Sequence, residues 1–131
     1  MSAVVVDASV ILYALTEARS NDVLRQRLSA PRALHAPHLI DFEVANALRG
    51  LELGGRLTTR RAHGVREDFA DLHIARYPGS LLAERIWELR KNFTAHDAAY
   101  IALAELLDCP LLTGDGKLRG RHSAKIELVP E

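Results

Sequence analysis

Four acidic residues hold positions from which their carboxylates can act together. Asp7 follows the apolar run Val4-Val5-Val6, Glu43 stands early in the stretch Ile40 to Leu53, Asp97 lies three residues after Thr94, and Asp115 sits in Thr113-Gly114-Asp115-Gly116. Each has an ordinary explanation on its own. Acids near helix N-termini complement the macrodipole by about 0.3–1 kcal/mol. Asp97 occupies the reaching-back position of a capping box, although Glu is more usual there, and Asp7 and Asp115 suit N-caps. Brought to one place, the four pose an electrostatic problem. Two like charges about 4 Å apart repel by about 4 kcal/mol at an effective dielectric of about 20. Several such pairs would consume much of a total stability of about 5–15 kcal/mol. Such a cluster must be protonated, spread out or neutralised by a cation. Oxygen donors without a paired histidine or cysteine point to a hard cation, Mg²⁺ or Mn²⁺, rather than zinc. That cation suits phosphoryl chemistry, because it lowers the pKa of water and stabilises charge on phosphate.

Several polar residues stand where they can support the acids. Ser9, two residues after Asp7, can orient a ligand or simply cap the first helix. Asn46 lies one turn after Glu43 and shares its face; it can bond a carboxylate or a water, or be a polar residue on a solvated face. The Thr113 hydroxyl faces the site. His96 reads as a surface or packing residue, since a metal-activated water needs no imidazole base. Basic residues gather in two runs: Arg49, Arg56, Arg60 and Arg61, and then Lys117, Arg119, Arg121 and His122 beside Asp115. Of these, Arg49, Arg56, Lys117 and Arg119 are the candidate phosphate contacts for a nucleic acid, against the plainer reading of solvated surface cations. Trp87 and the tyrosines read as core or dimer contacts.

The elements that must position these residues alternate. Strands are expected at Val4–Val6, 33–36, 72–75, 111–113 and 126–129. Helices are expected at Ala8–Leu15, Asn21–Leu28, Ile40–Leu53, from Thr58 or Thr59 to about Ala70, at 81–91 behind Ser80, and at Ala95–Leu107 behind Thr94. Ile40, Val44, Ala47, Leu48 and Leu51 form the stripe of the third helix, and Ala98, Ile101, Ala102 and Leu106 that of the last. Asp115 to Leu118 reads as a single turn of helix. The alternation predicts an α/β fold, a parallel sheet with helices on both faces, in which ligands bind at the carboxyl ends of the strands. The 131 residues fit one domain, 1–131.

Basic and acidic residues balance at 17 each, so any nucleic-acid footprint must be local rather than global. Cys109 is the single cysteine; its apolar neighbours make it a small buried hydrophobe, and no intrachain disulfide can form. The apolar start carries Asp7 and lacks a basic leader, and no stretch approaches a membrane span. A cytoplasmic protein without a membrane partner is the expectation.

Four motifs, in order, resemble the PIN-domain ribonucleases, in particular the VapC-type toxins of bacterial toxin–antitoxin pairs. They are Val5-Val6-Asp7-Ala8-Ser9-Val10, Glu43-Val44-Ala45-Asn46-Ala47-Leu48, Thr94-Ala95-His96-Asp97-Ala98-Ala99-Tyr100-Ile101-Ala102-Leu103-Ala104, and Leu111-Leu112-Thr113-Gly114-Asp115-Gly116-Lys117-Leu118. The resemblance implies a three-layer α/β/α sandwich with a parallel five-stranded sheet. It also implies Mg²⁺- or Mn²⁺-dependent endoribonuclease activity, a homodimer, and a cognate antitoxin. By motif position the acidic set falls on Asp7, Glu43, Asp97 and Asp115, and the polar positions on Thr113, Ser9 and Asn46. Many relatives carry a basic or larger residue before the last acid, where this chain has Gly114. A haloacid-dehalogenase-like phosphatase would want a second acid two residues after Asp7, where Ser9 stands. A non-catalytic RNA- or partner-binding module of the same fold would show a broken acid set, and here all four are present. The RNA target is not written in these motifs.

Overall fold

The structure is a computed structural model that describes residues 3–16, 26, 28 and 33–129. Its five strands are β1 (Ala3–Val6), β2 (Ala33–Pro37), β3 (Ile74–Tyr77), β4 (Leu111–Thr113) and β5 (Ile126–Leu128). They form one sheet in the order β3-β2-β1-β4-β5, parallel throughout. Val4, Val5 and Val6 are fully buried, as an unbroken apolar run in a central parallel strand should be. The helices are α1 (Ala8–Thr16), α2 (Leu39–Leu53), α3 (Thr59–Asp71), α4 (Gly79–Glu88) and α5 (Ala95–Leu107), with a 3₁₀ turn at Gly116–Leu118. One helical group, α1 with α2 and α3, and a second, α4 with α5, sandwich the sheet. Among the described residues, no helix is long and apolar enough to cross a membrane.

The topology positions the site. β1 pairs with β4, and Val6 lies opposite Leu112. Asp7 and Thr113 are therefore level with one another at the carboxyl edge, although 106 residues apart in the chain. α5 is buried on nearly every side from Ala98 to Ala104, and its alanines let it lie close to β1 and β2.

Some boundaries differ from the sequence reading. β3 begins two residues later than expected, because Leu72 is the C-cap of α3 and gives its N–H to the Phe69 carbonyl. Thr58 caps α3, accepting from the Arg61 N–H. α4 starts behind Pro78 with no side-chain cap, so Ser80 lies inside the helix, and the helix ends at Glu88. Leu106, read as part of the buried stripe of α5, is 55% exposed; the last turn of that helix emerges from the core ahead of the left-handed cap at Asp108. Cys109 is half-buried rather than buried. The helix expected at Asn21–Leu28 lies outside the described residues, save for Gln26 and Leu28, which are helical.

Candidate active site

Asp7 is at once a helix cap and the centre of a polar cluster. Its Oδ1 accepts the Val10 N–H at 3.1 Å and the Ser9 hydroxyl at 2.6 Å. Its Oδ2 accepts the hydroxyl of Thr113, a fully buried residue. Each hydroxyl also receives a bond from the β4 turn: Gly114 N–H donates to Ser9 Oγ at 3.0 Å, and Asp115 N–H to Thr113 Oγ1 at 3.0 Å. Ser9 and Thr113 thus stitch the end of β1 to the end of β4. Gly114 permits this closeness. A Cβ there would lie 3.3 Å from Ser9 Oγ and 3.3 Å from the Val129 carbonyl, so a larger residue would press on Ser9.

Asp7 carries an opposed charge. Burial pushes its pKa up, the bonds from Ser9, Thr113 and Val10 pull it down, and the nearby charge of Asp115 pushes it up again; the balance is a raised pKa. Asp115 caps the 3₁₀ turn, its Oδ1 accepting the Lys117 N–H at 2.9 Å. Its Oδ2 stands 3.8 Å from Lys117 Nζ, on a side chain that is 82% exposed.

Glu43 arrives differently from the sequence reading. α2 begins at Leu39, so the acid of its first turn is Asp41, which is occupied by a two-bond pair with Arg76 at 2.7 and 2.8 Å. Glu43 lies in the following turn. Its Oε1 accepts the Tyr100 hydroxyl at 2.6 Å, and its Oε2 is 3.8 Å from Nδ1 of the largely exposed His96. Tyr100 is buried, 3% exposed. Its phenol is held well above the usual range by burial, by its bond to Glu43, and by the charges of Glu43 and Asp7. Sequence reasoning placed this residue in the core or at a dimer contact. The available signal was its place three residues after Asp97, on the same face of a helix.

Asp97 completes half a capping box: its N–H donates to Thr94 Oγ1 at 3.2 Å. Among the described residues, no hydrogen bond reaches its half-buried carboxylate. Asn46 is exposed one turn beyond Glu43.

The two basic runs part company. Lys117 and Arg119 flank Asp115 and are exposed. Arg56 lies past the C-terminal end of α2, where the chain turns back and its N–H bonds the Leu51 carbonyl at 2.8 Å, whereas Glu43 is near the other end of that helix. Arg49 lines a cleft of about 540 Å³ between α2 and α3 that holds none of the four acids. Arg61 is committed elsewhere, donating to the Leu15 and Thr16 carbonyls at the far end of α1.

Residues 4–121 match the PIN domain family. The chain belongs to that family. Ribonuclease VapC9 of Mycobacterium tuberculosis is 43% identical over 129 residues, 97% of this chain and 98% of that one, which places the chain among the VapC ribonucleases. Two solved structures share the PIN fold. PAE2754 from Pyrobaculum aerophilum has a TM-score of 0.69 at 24% identity, over 95% of this chain and 83% of that one. VapBC2 from Rickettsia felis, bound to a DNA fragment from their promoter, has a TM-score of 0.67 at 11% identity, over 96% and 98%. The span matched to the PIN family holds all four acids and stops before β5.

Proposed function

We propose that this PIN domain is an endoribonuclease toxin that hydrolyses RNA phosphodiesters at the carboxyl edge of its sheet, and that Asp7, Asp97 and Asp115, with Glu43, hold Mg²⁺ or Mn²⁺ there. The observation that carries this is Asp7: a buried carboxylate, opposed by a neighbouring carboxylate, whose donors are two hydroxyls and one backbone N–H. The candidate ligands are all oxygens, and among the described residues no buried cation pairs with Asp7. Among the described residues, no three acidic, histidine or cysteine side chains are grouped closely enough to hold an ion by themselves. An open edge of this kind suits Mg²⁺, which keeps several waters and takes one or two carboxylates along with substrate phosphate.

When bound, such an ion lowers the pKa of water and stabilises charge developing on the phosphate. The chain's own groups prepare for it. Ser9 and Thr113 fix both oxygens of Asp7, and Thr113 sets the backbone of Asp115. Lys117 and Arg119 would seat backbone phosphates beside Asp115. Arg49 and Arg56 would meet only an RNA that reaches around α2.

The ribonuclease names of the relatives support RNA as the substrate, and the VapBC2 complex supports a cognate antitoxin as the partner, with the cytoplasm as the place of action. A homodimer fits the large apolar side chains left on the surface, Phe42 at 74% and Trp87 at 67% exposure.

The test uses protein freed of antitoxin, structured RNA, and Mg²⁺ or Mn²⁺. Cleavage is expected, and is lost in Asp7→Asn and in Asp97→Asn. Equal cleavage by both variants would contradict the assignment. RNA binding without cleavage by the natural chain would make it a non-catalytic module.

A further inference from the structure

We infer that Tyr100 is a positioning residue of the acidic edge: its hydroxyl, donated from α5 to Glu43 on α2, fixes that carboxylate so that it and Asp7 serve one ligand. This rests on the nuclease reading above and adds a component to it. The buried ring belongs to the core, and phenylalanine would fill that space. The hydroxyl is a separate matter. A buried phenol needs a hydrogen-bond partner, and many neutral acceptors would serve. Here the partner is a carboxylate 57 residues away on another helix.

The connection has a direction. With Oε1 taken by Tyr100, Glu43 has Oε2 left to offer, and His96 stands 3.8 Å from that oxygen. α5 carries Asp97 and Tyr100 on one face, three residues apart. One helix therefore supplies an acid and sets the orientation of another. Glu43 has a flexible side chain on a different element, and losing its anchor would free it to turn away from the edge.

The test is a double-mutant cycle of Tyr100→Phe and Glu43→Ala, read by Mn²⁺ binding in calorimetry and by kcat and KM on a short RNA. Tyr100→Phe is expected to weaken Mn²⁺ binding and lower kcat by about tenfold, the size of one charge-assisted buried hydrogen bond, with KM within about twofold. In the Glu43→Ala background the same change is expected to do nothing further. Additive losses, or a Tyr100→Phe protein that binds and cleaves like the natural chain, would overturn the inference. Should Tyr100→Phe alone unfold, the double variant compared with Glu43→Ala decides, since neither leaves Glu43 without its donor; a further loss in the double variant overturns the inference. A natural chain that neither binds Mn²⁺ nor cleaves refutes the nuclease reading instead.

Discussion

Two carboxylates in this molecule are held by similar donors and answer in opposite ways. Asp7 accepts two hydroxyls and a backbone N–H. Glu105, on α5, accepts the hydroxyl and the N–H of Ser123 at 3.0 and 2.9 Å, and also a two-bond pair from Arg85 at 2.6 and 3.0 Å. Asp7 is pushed above its ordinary pKa, and Glu105 is brought from 4.5 down to about 2. What separates them is chiefly the guanidinium, together with the deeper burial of Asp7 and the negative neighbour it has in Asp115. The clamp of Arg85, Glu105 and Ser123 ties α4, α5 and the segment before β5 together, and its charges are matched within the chain. The edge at Asp7 has its geometry fixed, and among the described residues no cation pairs with that carboxylate. Glu105 comes with its counter-ion, as a structural carboxylate does, and on the function proposed above a bound cation would supply the one that Asp7 lacks among the described residues.

Substitutions can break this contrast, beginning with the largest expected effect. Asp7→Asn should reduce RNA cleavage by at least about 10², the scale on which a charge-stabilising group is lost. In metal-free buffer at pH 7 it should leave the melting temperature unchanged or raise it, because asparagine also caps helices and removes an opposed charge. A marked fall in metal-free stability would make Asp7 chiefly a structural cap. Glu105→Gln should do the reverse. It should cost about 2 kcal/mol of stability through lost bonds between charged groups, seen as several degrees in thermal unfolding, with kcat per folded molecule retained.

The two residues should also respond to pH in opposite senses. Asp7 has a folded pKa above its ordinary 3.8, so its contribution is present below that value and is lost as pH rises through the folded pKa. Glu105 has a folded pKa near 2 against an ordinary 4.5, so its contribution is present above 4.5 and is lost as pH falls toward about 2. Urea midpoints of metal-free protein across this range should lose the acid-side fall in Glu105→Gln and the decline above 3.8 in Asp7→Asn. Swapped or absent changes would undo the comparison. The smallest effect belongs to the basic surface. Lys117→Ala should raise KM for RNA a few-fold and reduce the salt slope by about one, while Arg56→Ala, remote from the edge, should change neither.

Much of this was legible in the sequence because it is written locally. Three valines in a row mark a doubly buried strand, Thr94 marks the start of α5, and an acid after each of two such strands marks the edge. What the chain hides is pairing across distance. Nothing near Tyr100 in the sequence shows that its hydroxyl meets Glu43, and Arg85 and Glu105 lie 20 residues apart with only the packing of α4 on α5 to join them. Arg56 and Arg61 looked like part of a nucleic-acid footprint because they are close in sequence to Arg49. Arg56 lies in the turn past the C-terminal end of α2, bonded to the Leu51 carbonyl, and Arg61 stands on α3 and closes the end of α1. The offset of β3 had a similar origin, since Leu72 fits a strand by type and a helix cap by place.

The central claim is that the acids at the carboxyl edge share a divalent cation. Thermal unfolding against Mg²⁺ concentration tests it most directly, because a ligand of the folded state stabilises by about 2.7 kcal/mol at a hundred times its Kd. The natural chain should melt at a rising temperature as Mg²⁺ is added, and Asp115→Asn should shrink that rise. A melting temperature indifferent to Mg²⁺, over concentrations that support RNA cleavage, would contradict it.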